Sequence, residues 1–254
     1  MPDHASWLTL LLEHVQETLE HNADLIGVSL MGENPTWLSF EPLIASALVA
    51  LVLLLVSLSV RSRLSADDNG VVPDDTLTLR TFMEAFLGYF YDLSRTIMDE
   101  KRAQKYFPVI GASACFVFCA NVMAIIPGMP VATSSLSITA GSALVVFVLF
   151  NLYGLKENGL DYIKHLAGPL PALWPLMFVI EVISLCVRPV TLAVRLMLNM
   201  AVDHLLLTIF LGFLPLLLPL PVMVLGCLVI VVQTLVFTLL TTIYIGLATE
   251  HEAH

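Results

Sequence analysis

One stretch of the chain sets polar groups into an apolar run. Between Leu176 and Phe213 stand Glu181, Ser184, Arg188, Thr191, Arg195, Asn199, Asp203 and His204. With Arg195 at zero on a helical wheel, Glu181 and Asn199 fall at about +40°, Arg188 at about +20°, Thr191 at about −40° and Asp203 at about +80°. A single face therefore carries most of this chemistry. A guanidinium cannot shed its proton to escape an apolar setting, and a cation within hydrocarbon costs at least about 2.5–3.5 kcal/mol. Arg195 has no acid within one turn on its own segment, and its nearest acid in sequence is Asp203. Two readings stand for Arg195: a purely structural role, or a partner carboxylate on another subunit. Two readings stand for Arg188: it pairs with Glu181 as a packing device, or it snorkels towards the membrane surface.

A second set lies elsewhere. Gln233 sits in the apolar run near the C-terminus with Thr234, Thr238, Thr241, Thr242 and Tyr244. Threonine hydroxyls mostly bond their own helix backbone, whereas a glutamine amide in lipid needs partners outside its helix. Asn121 and the group Ser134, Ser135, Ser137, Thr139 and Ser142 either line a wet path or mediate helix contact. Other chemistries are missing. The sequence has no phosphate loop and no HExxH pattern. It has no Cys/His cluster with metal-ligand spacing and no serine nucleophile with a base. Cys115, Cys119, Cys186 and Cys227 lie in apolar runs and read as small buried hydrophobes. No cofactor, metal or catalytic site is expected in this chain. The formal charge of −10 argues against nucleic acid.

The elements that position these residues follow from composition. The chain has 254 residues, 58% hydrophobic and 13% charged, with a mean hydropathy of +0.89. Soluble domains average about 25% charged residues. No charge occurs in Leu43–Val60, Tyr106–Leu155 or Leu205–Thr249, and about 20 apolar residues cross a bilayer. Runs of this length without polar alternation mean helices and not a barrel. The fold class is therefore all-α: a polytopic membrane protein of about five helices, including a long, steeply tilted helical hairpin, plus an amphipathic interfacial helix. The spans run over about Pro42–Val60, Phe107–Ile126, Ser134–Leu155, Leu176–Phe213 and Val222–Leu247. The fourth would reach about 57 Å against a hydrocarbon core of about 30 Å, so it either breaks at Pro189 or tilts steeply. By segment, 1–41 is an outer N-terminal part and 42–254 the membrane domain. Within it, 61–105 is a cytoplasmic loop, 107–155 a helical hairpin and 170–247 the tilted pair.

Basic residues set the orientation. Arg61, Arg63, Arg80, Arg95, Lys101, Arg102 and Lys105 share one connection; Lys156 and Lys164 share another. Both fall on one side, which the positive-inside rule makes cytoplasmic. The N-terminus is then outside and Glu250–His254 inside. Met1–Phe40 carries no cleavable signal pattern; Trp7, Leu8, Leu10–Leu12 and Val15 read as a short amphipathic helix on the outer surface. Asp67–Asp75 reads as a turn-rich loop. Phe82, Phe86, Tyr89, Leu93 and Ile97 recur at helical spacing, opposite Glu84, Asp92, Arg95 and Asp99. That helix either lies on the cytoplasmic membrane surface or docks on a soluble partner.

The run Glu181-Val-Ile-Ser-Leu-Cys-Val-Arg188-Pro189-Val-Thr191-Leu-Ala-Val-Arg195-Leu196, followed by Asn199-Met200 and His204, resembles the signature helix of subunit a of F-type ATP synthases of bacterial type. Asn121 with Ile126-Pro127-Gly128 is similar to the end of that family's hairpin helix. Gly154, Gly159-Leu-Asp-Tyr162, His165 and Gly168-Pro169 are similar to its cytoplasmic loop. Gln233, Phe237-Thr238 and Ile243-Tyr244 are similar to its last helix. The resemblance covers about Phe82 to His254.

It implies a stator subunit of the Fo sector in a bacterial inner membrane. Its partners would be a ring of c subunits, the subunit b stalk, the F1 head through the complex, and membrane lipids. Two offset half-channels would couple transmembrane proton flow to ring rotation and hence to ATP synthesis or ATP-driven pumping. Arg195 would face the ring carboxylate and block direct leak between the channels. Asn199, Asp203, His204 and Gln233 would line the outer half-channel, and Glu181 with Ser184 the inner one. Asp203 and His204 would form a proton relay, since histidine titrates near neutral pH. Arg188, Asn121 and Thr191 would be secondary. The chain departs from the family pattern at Met197-Leu198, where Phe-Gly is usual, and at Asp203, where Gly is usual. It also departs at Gly226, seven residues before Gln233, where many relatives with that His carry an acid; Asp203 would supply it instead. The rival functions are an ion-coupled transporter or channel unrelated to rotary machines, which commonly shows paired broken helices in two related halves, and a scaffold without transport.

Overall fold

The structure is a computed structural model that describes residues 41–66, 78–126, 129, 133, 135–159, 174–213 and 219–249. The N-terminal amphipathic segment, the Asp67–Asp75 loop, Pro127-Gly128, Ser134, the loop residues from Leu160 through Pro169 and the Glu250–His254 tail lie outside the described residues. Six helices carry the fold: α1 (Glu41–Ala66), α2 (Leu79–Ile97), α3 (Glu100–Ile125), α4 (Leu136–Asn158), α5 (Trp174–Phe213) and α6 (Pro219–Ala248). Among the described residues there is no strand. All but α2 are long and apolar enough to cross a membrane, as the charge-free runs require.

The helices outrun the apolar runs. α3 begins at Glu100, not Phe107, because Lys, Gln and Arg favour helix even outside lipid. The break at Pro189 does not occur. α5 runs as one helix of 40 residues through Pro189, about 60 Å long. Proline removes one hydrogen-bond donor there, but the helix continues on both sides. A helix of that length fits a hydrocarbon core of about 30 Å only when tilted.

α3 and α6 form the most extensive helix pair, and α4 packs on α5. The core joins Ala103, Tyr106, Ile110 and Val117 of α3 to Ala143, Val146 and Phe150 of α4, Leu192, Ala193 and Leu196 of α5, and Phe237 and Ile245 of α6. Alanines bring the backbones close, as packing without a hydrophobic driving force demands. Gly159, at φ +56°, ends α4 in a conformation that a side chain would strain.

α2 begins at its cap Thr78, whose hydroxyl accepts from the Thr81 N–H at 3.4 Å. Its aromatic face is covered in part by this same chain. Phe86 meets Phe118 of α3 at 5.0 Å and Tyr91 meets Phe107 at 5.1 Å, so α2 runs antiparallel to α3. A methyl group at Gly111 would touch Leu87 of α2 at 3.3 Å, and one at Gly246 would touch Met98, just past α2, at 3.2 Å. Small residues on α3 and α6 therefore make room for this end of the fold. Phe82 and Tyr89 stay about half exposed, available to the lipid interface.

Candidate functional site: the polar seam of α5 and α6

α5 and α6 are antiparallel neighbours, and three contacts fix their register. Arg188 stands over the Tyr244 ring, 5.3 Å from its centroid. Asn199 Nδ2 donates to Gln233 Oε1 at 2.7 Å. Asp203 lies against Gly226, where a Cβ would come within 2.7 Å of its Oδ2 and within 3.6 Å of Oδ1 and Cγ. Moving forward along α5 from Arg188 through Asn199 to Asp203 corresponds to moving back along α6 from Tyr244 through Gln233 to Gly226. The polar face of α5 thus becomes a seam between the two helices over most of their length.

Arg195 lies in the middle of this seam on an exposed face. Among the described residues it makes no hydrogen bond or ion pair. Its neighbours Leu192, Ala193 and Leu196 are buried against the bundle, so the backbone is fixed while the guanidinium points away from the core. Thr191, also exposed, donates to the Arg188 carbonyl at 2.9 Å and is satisfied within its own helix.

On one side of Arg195 lies the amide pair. Gln233 is buried, and its Nε2 has no acceptor among the described residues; the same holds for Asn121 Nδ2 on α3. The Asn121 oxygen accepts from the Thr133 hydroxyl at 3.1 Å. Buried amide donors of this kind call for an acceptor such as water. Beyond the pair, Asp203 faces a narrow cleft lined by Ala124, Ile125, Met200, Leu207, Met223 and Gly226. His204 follows Asp203 in α5; its side chain is not among those described. On the other side of Arg195, Arg188 Nη2 lies 3.6 Å from Glu181 Oε1, within reach of an ion pair. Ser184 is half-buried on the same helix.

Sequence reasoning treated the threonines as self-satisfied, and they are. Thr234, Thr238, Thr241 and Thr242 donate to the carbonyls of Ile230, Thr234, Phe237 and Thr238 at 2.7–2.9 Å. Thr139 and Ser142 likewise bond backbone of their own region. It missed Tyr244 as the seat of a cation; the signal available was a tyrosine ring, with Phe237 one of two aromatics in that helix. No group of three or more potential metal ligands occurs among the described residues.

Sequence comparison supplies the family. Residues 43–246 match the family described as ATP synthase A chain. This chain belongs to that family. It is 52% identical over 255 aligned positions to the ATP synthase subunit a of Sorangium cellulosum, covering all of both chains. It is 38% identical to the ATP synthase subunit a 1 of Syntrophotalea carbinolica, covering 98% of this chain and 97% of the relative. To the ATP synthase subunit a of a Sulfurihydrogenibium species it is 40% identical, covering 69% and 84%. Members of the ATP synthase A chain family, this chain included, are multi-pass membrane proteins, consistent with its five long apolar helices.

Proposed function

We propose that this chain is the stator subunit a of an F-type ATP synthase in a bacterial inner membrane. It works beside a ring of c subunits and a subunit b stalk, and couples proton flow to ring rotation. Membership of the ATP synthase A chain family supports this role and disfavours the unrelated transporter. The observation that carries the mechanism is Arg195, an exposed guanidinium between two polar clusters and without a partner among the described residues.

The physics of the seam suits that task. An unpaired cation on a membrane-embedded face attracts an ionised carboxylate, and a low-dielectric setting strengthens the attraction. A ring carboxylate passing Arg195 is drawn into the ionised state and gives up its proton. Because the guanidinium stays charged, it is also a fixed barrier to a proton crossing directly from one cluster to the other. Gln233, Asn199, Asp203, His204 and Asn121 line the outer half-channel on this reading, with the orphaned amide donors of Asn121 and Gln233 holding water. Glu181 and Ser184 belong to the inner half-channel. Asp203 supplies the carboxylate that relatives carry at the position of Gly226: its oxygens occupy the space a side chain there would fill. The membrane potential adds about 2.3 kcal/mol per charge per 100 mV.

The test is reconstitution of the whole complex with Arg195 intact or replaced. Arg195→Ala should abolish both gradient-driven ATP synthesis and ATP-driven acidification of vesicles, and raise passive proton leak. Normal synthesis in that variant would reject the role.

A further inference from the structure

Two arginines share the polar face of α5, about 20° apart on the helical wheel and about two turns apart along the axis, yet their surroundings differ. Arg195 is exposed and unpartnered among the described residues. Arg188 is held from two helices. Its Nη2 lies 3.6 Å from Glu181 Oε1, and its Cζ stands 5.3 Å from the centre of the Tyr244 ring on α6. The Tyr244 ring in turn meets Phe150 of α4 at 5.8 Å, and Phe150 is fully buried in the core. The Tyr244 ring is partly buried and packed against that core, which backs the seat.

Neither contact is strong by itself. A distance of 3.6 Å is too long for a hydrogen bond, and Glu181 is 43% exposed, so water weakens the pair. The aromatic face supplies the second hold, since its quadrupole attracts a cation at this separation. Without these contacts Arg188 would be another mobile guanidinium on the very face that Arg195 uses. A long, flexible arginine side chain two turns away could reach an acid passing that face and detain it.

We propose that Tyr244, with Glu181, sequesters Arg188, so that Arg195 is left to meet the moving carboxylate on this face. Tyr244 is a positioning residue in this scheme; it touches neither the ring nor the translocated proton. The inference rests on the stator reading above, and that reading is tested separately by Arg195→Ala in the same vesicles.

The experiment is a double-mutant cycle on the reconstituted complex, with ATP-driven acidification normalised to assembled complex. Tyr244→Phe keeps the ring and should pump like the parent. Tyr244→Leu removes the ring, frees Arg188 and should slow pumping by at least about threefold, within the roughly 2- to 30-fold range that a cation–π contact represents. Arg188→Gln should be tolerated, and adding it to Tyr244→Leu should restore the rate to that of Arg188→Gln alone. A merely structural tyrosine gives a different pattern: Tyr244→Leu stays slow whether or not Arg188 is present. That pattern, or an unaffected Tyr244→Leu, overturns the proposal. If Tyr244→Leu fails to assemble, Tyr244→Met, whose unbranched, flexible side chain fills irregular gaps, carries the same comparison.

Discussion

Gly226 shows how a missing side chain can be informative. A Cβ built there would stand 2.7 Å from Asp203 Oδ2, closer than any carbon–oxygen van der Waals contact allows, so the carboxylate and the glycine specify one another. Replacing Gly226 with Ala should push the carboxylate out of its place beside the cleft. ATP-driven acidification is then expected to fall by about tenfold or more, since an ångström of misplacement at a reacting group costs up to about 100-fold. Exchanging the two residues, Asp203→Gly with Gly226→Asp, should recover much of the loss, because the acid returns to the same space from the opposite helix. A full rate in Gly226→Ala would show that the carboxylate's position is immaterial. The residue types at this site were legible in the sequence: Arg195, Asp203, Asn199 and Gln233 stand out because lipid makes polar side chains costly. Their pairings were not. Helical periodicity places groups on a face of one helix, but the Asn199–Gln233 bond, the Asp203–Gly226 fit and the Arg188–Tyr244 contact depend on how far α6 slides along α5, and no local pattern encodes that.

The same division holds for whole helices. Existence and number of the spans follow from runs without charge, and α1 through α6 fall where those runs and the aromatic periodicity of α2 place them. Their ends did not follow, because charged residues such as Glu100 to Lys105 extend α3 beyond its apolar stretch. Nor did the fate of Pro189, whose lost hydrogen bond is outweighed by the turns on either side. α6 illustrates how polar residues divide by function. Its four threonines return their hydroxyls to their own backbone, whereas Gln233 reaches across to α5. Thr241→Val, close in volume, should leave both the amount of assembled complex and its pumping rate within about twofold, because such a back-bond adds little to a helix already satisfied. Gln233→Leu should cost more, for it removes the acceptor of the exposed Asn199 amide; a hydrogen bond contributes about 0.5–1.5 kcal/mol net, about 2- to 12-fold if the loss is expressed in the rate. Quantitative immunoblots and acidification assays on the two variants separate these outcomes.

At the scale of the molecule, the charge that is absent from the spans is concentrated where it orients them. Arg95, Lys101, Arg102 and Lys105 gather around the α2–α3 junction, and Lys156 sits at the end of α4. The fold draws these points together: Lys105 of α3 pairs with Glu157 of α4, Asn158 donates to the Ala248 carbonyl at 3.2 Å and Arg102 to the Thr249 carbonyl at 3.4 Å. The ends of α3, α4 and α6 therefore form one basic, hydrogen-bonded face, and a cation-rich face is retained on the cytoplasmic side. Since α6 ends on that face, the C-terminus should be cytoplasmic, and an odd number of spans puts the N-terminus across the membrane. The four native cysteines lie within α3, α5 and α6, so they can be replaced without touching either terminus. In that background, Asp3→Cys should react with a membrane-impermeant maleimide in right-side-out vesicles and Glu252→Cys only in inverted ones. The opposite pattern would place the basic face outside, and with it the assignment of Glu181 to the inner half-channel and of Asp203 to the outer one would reverse.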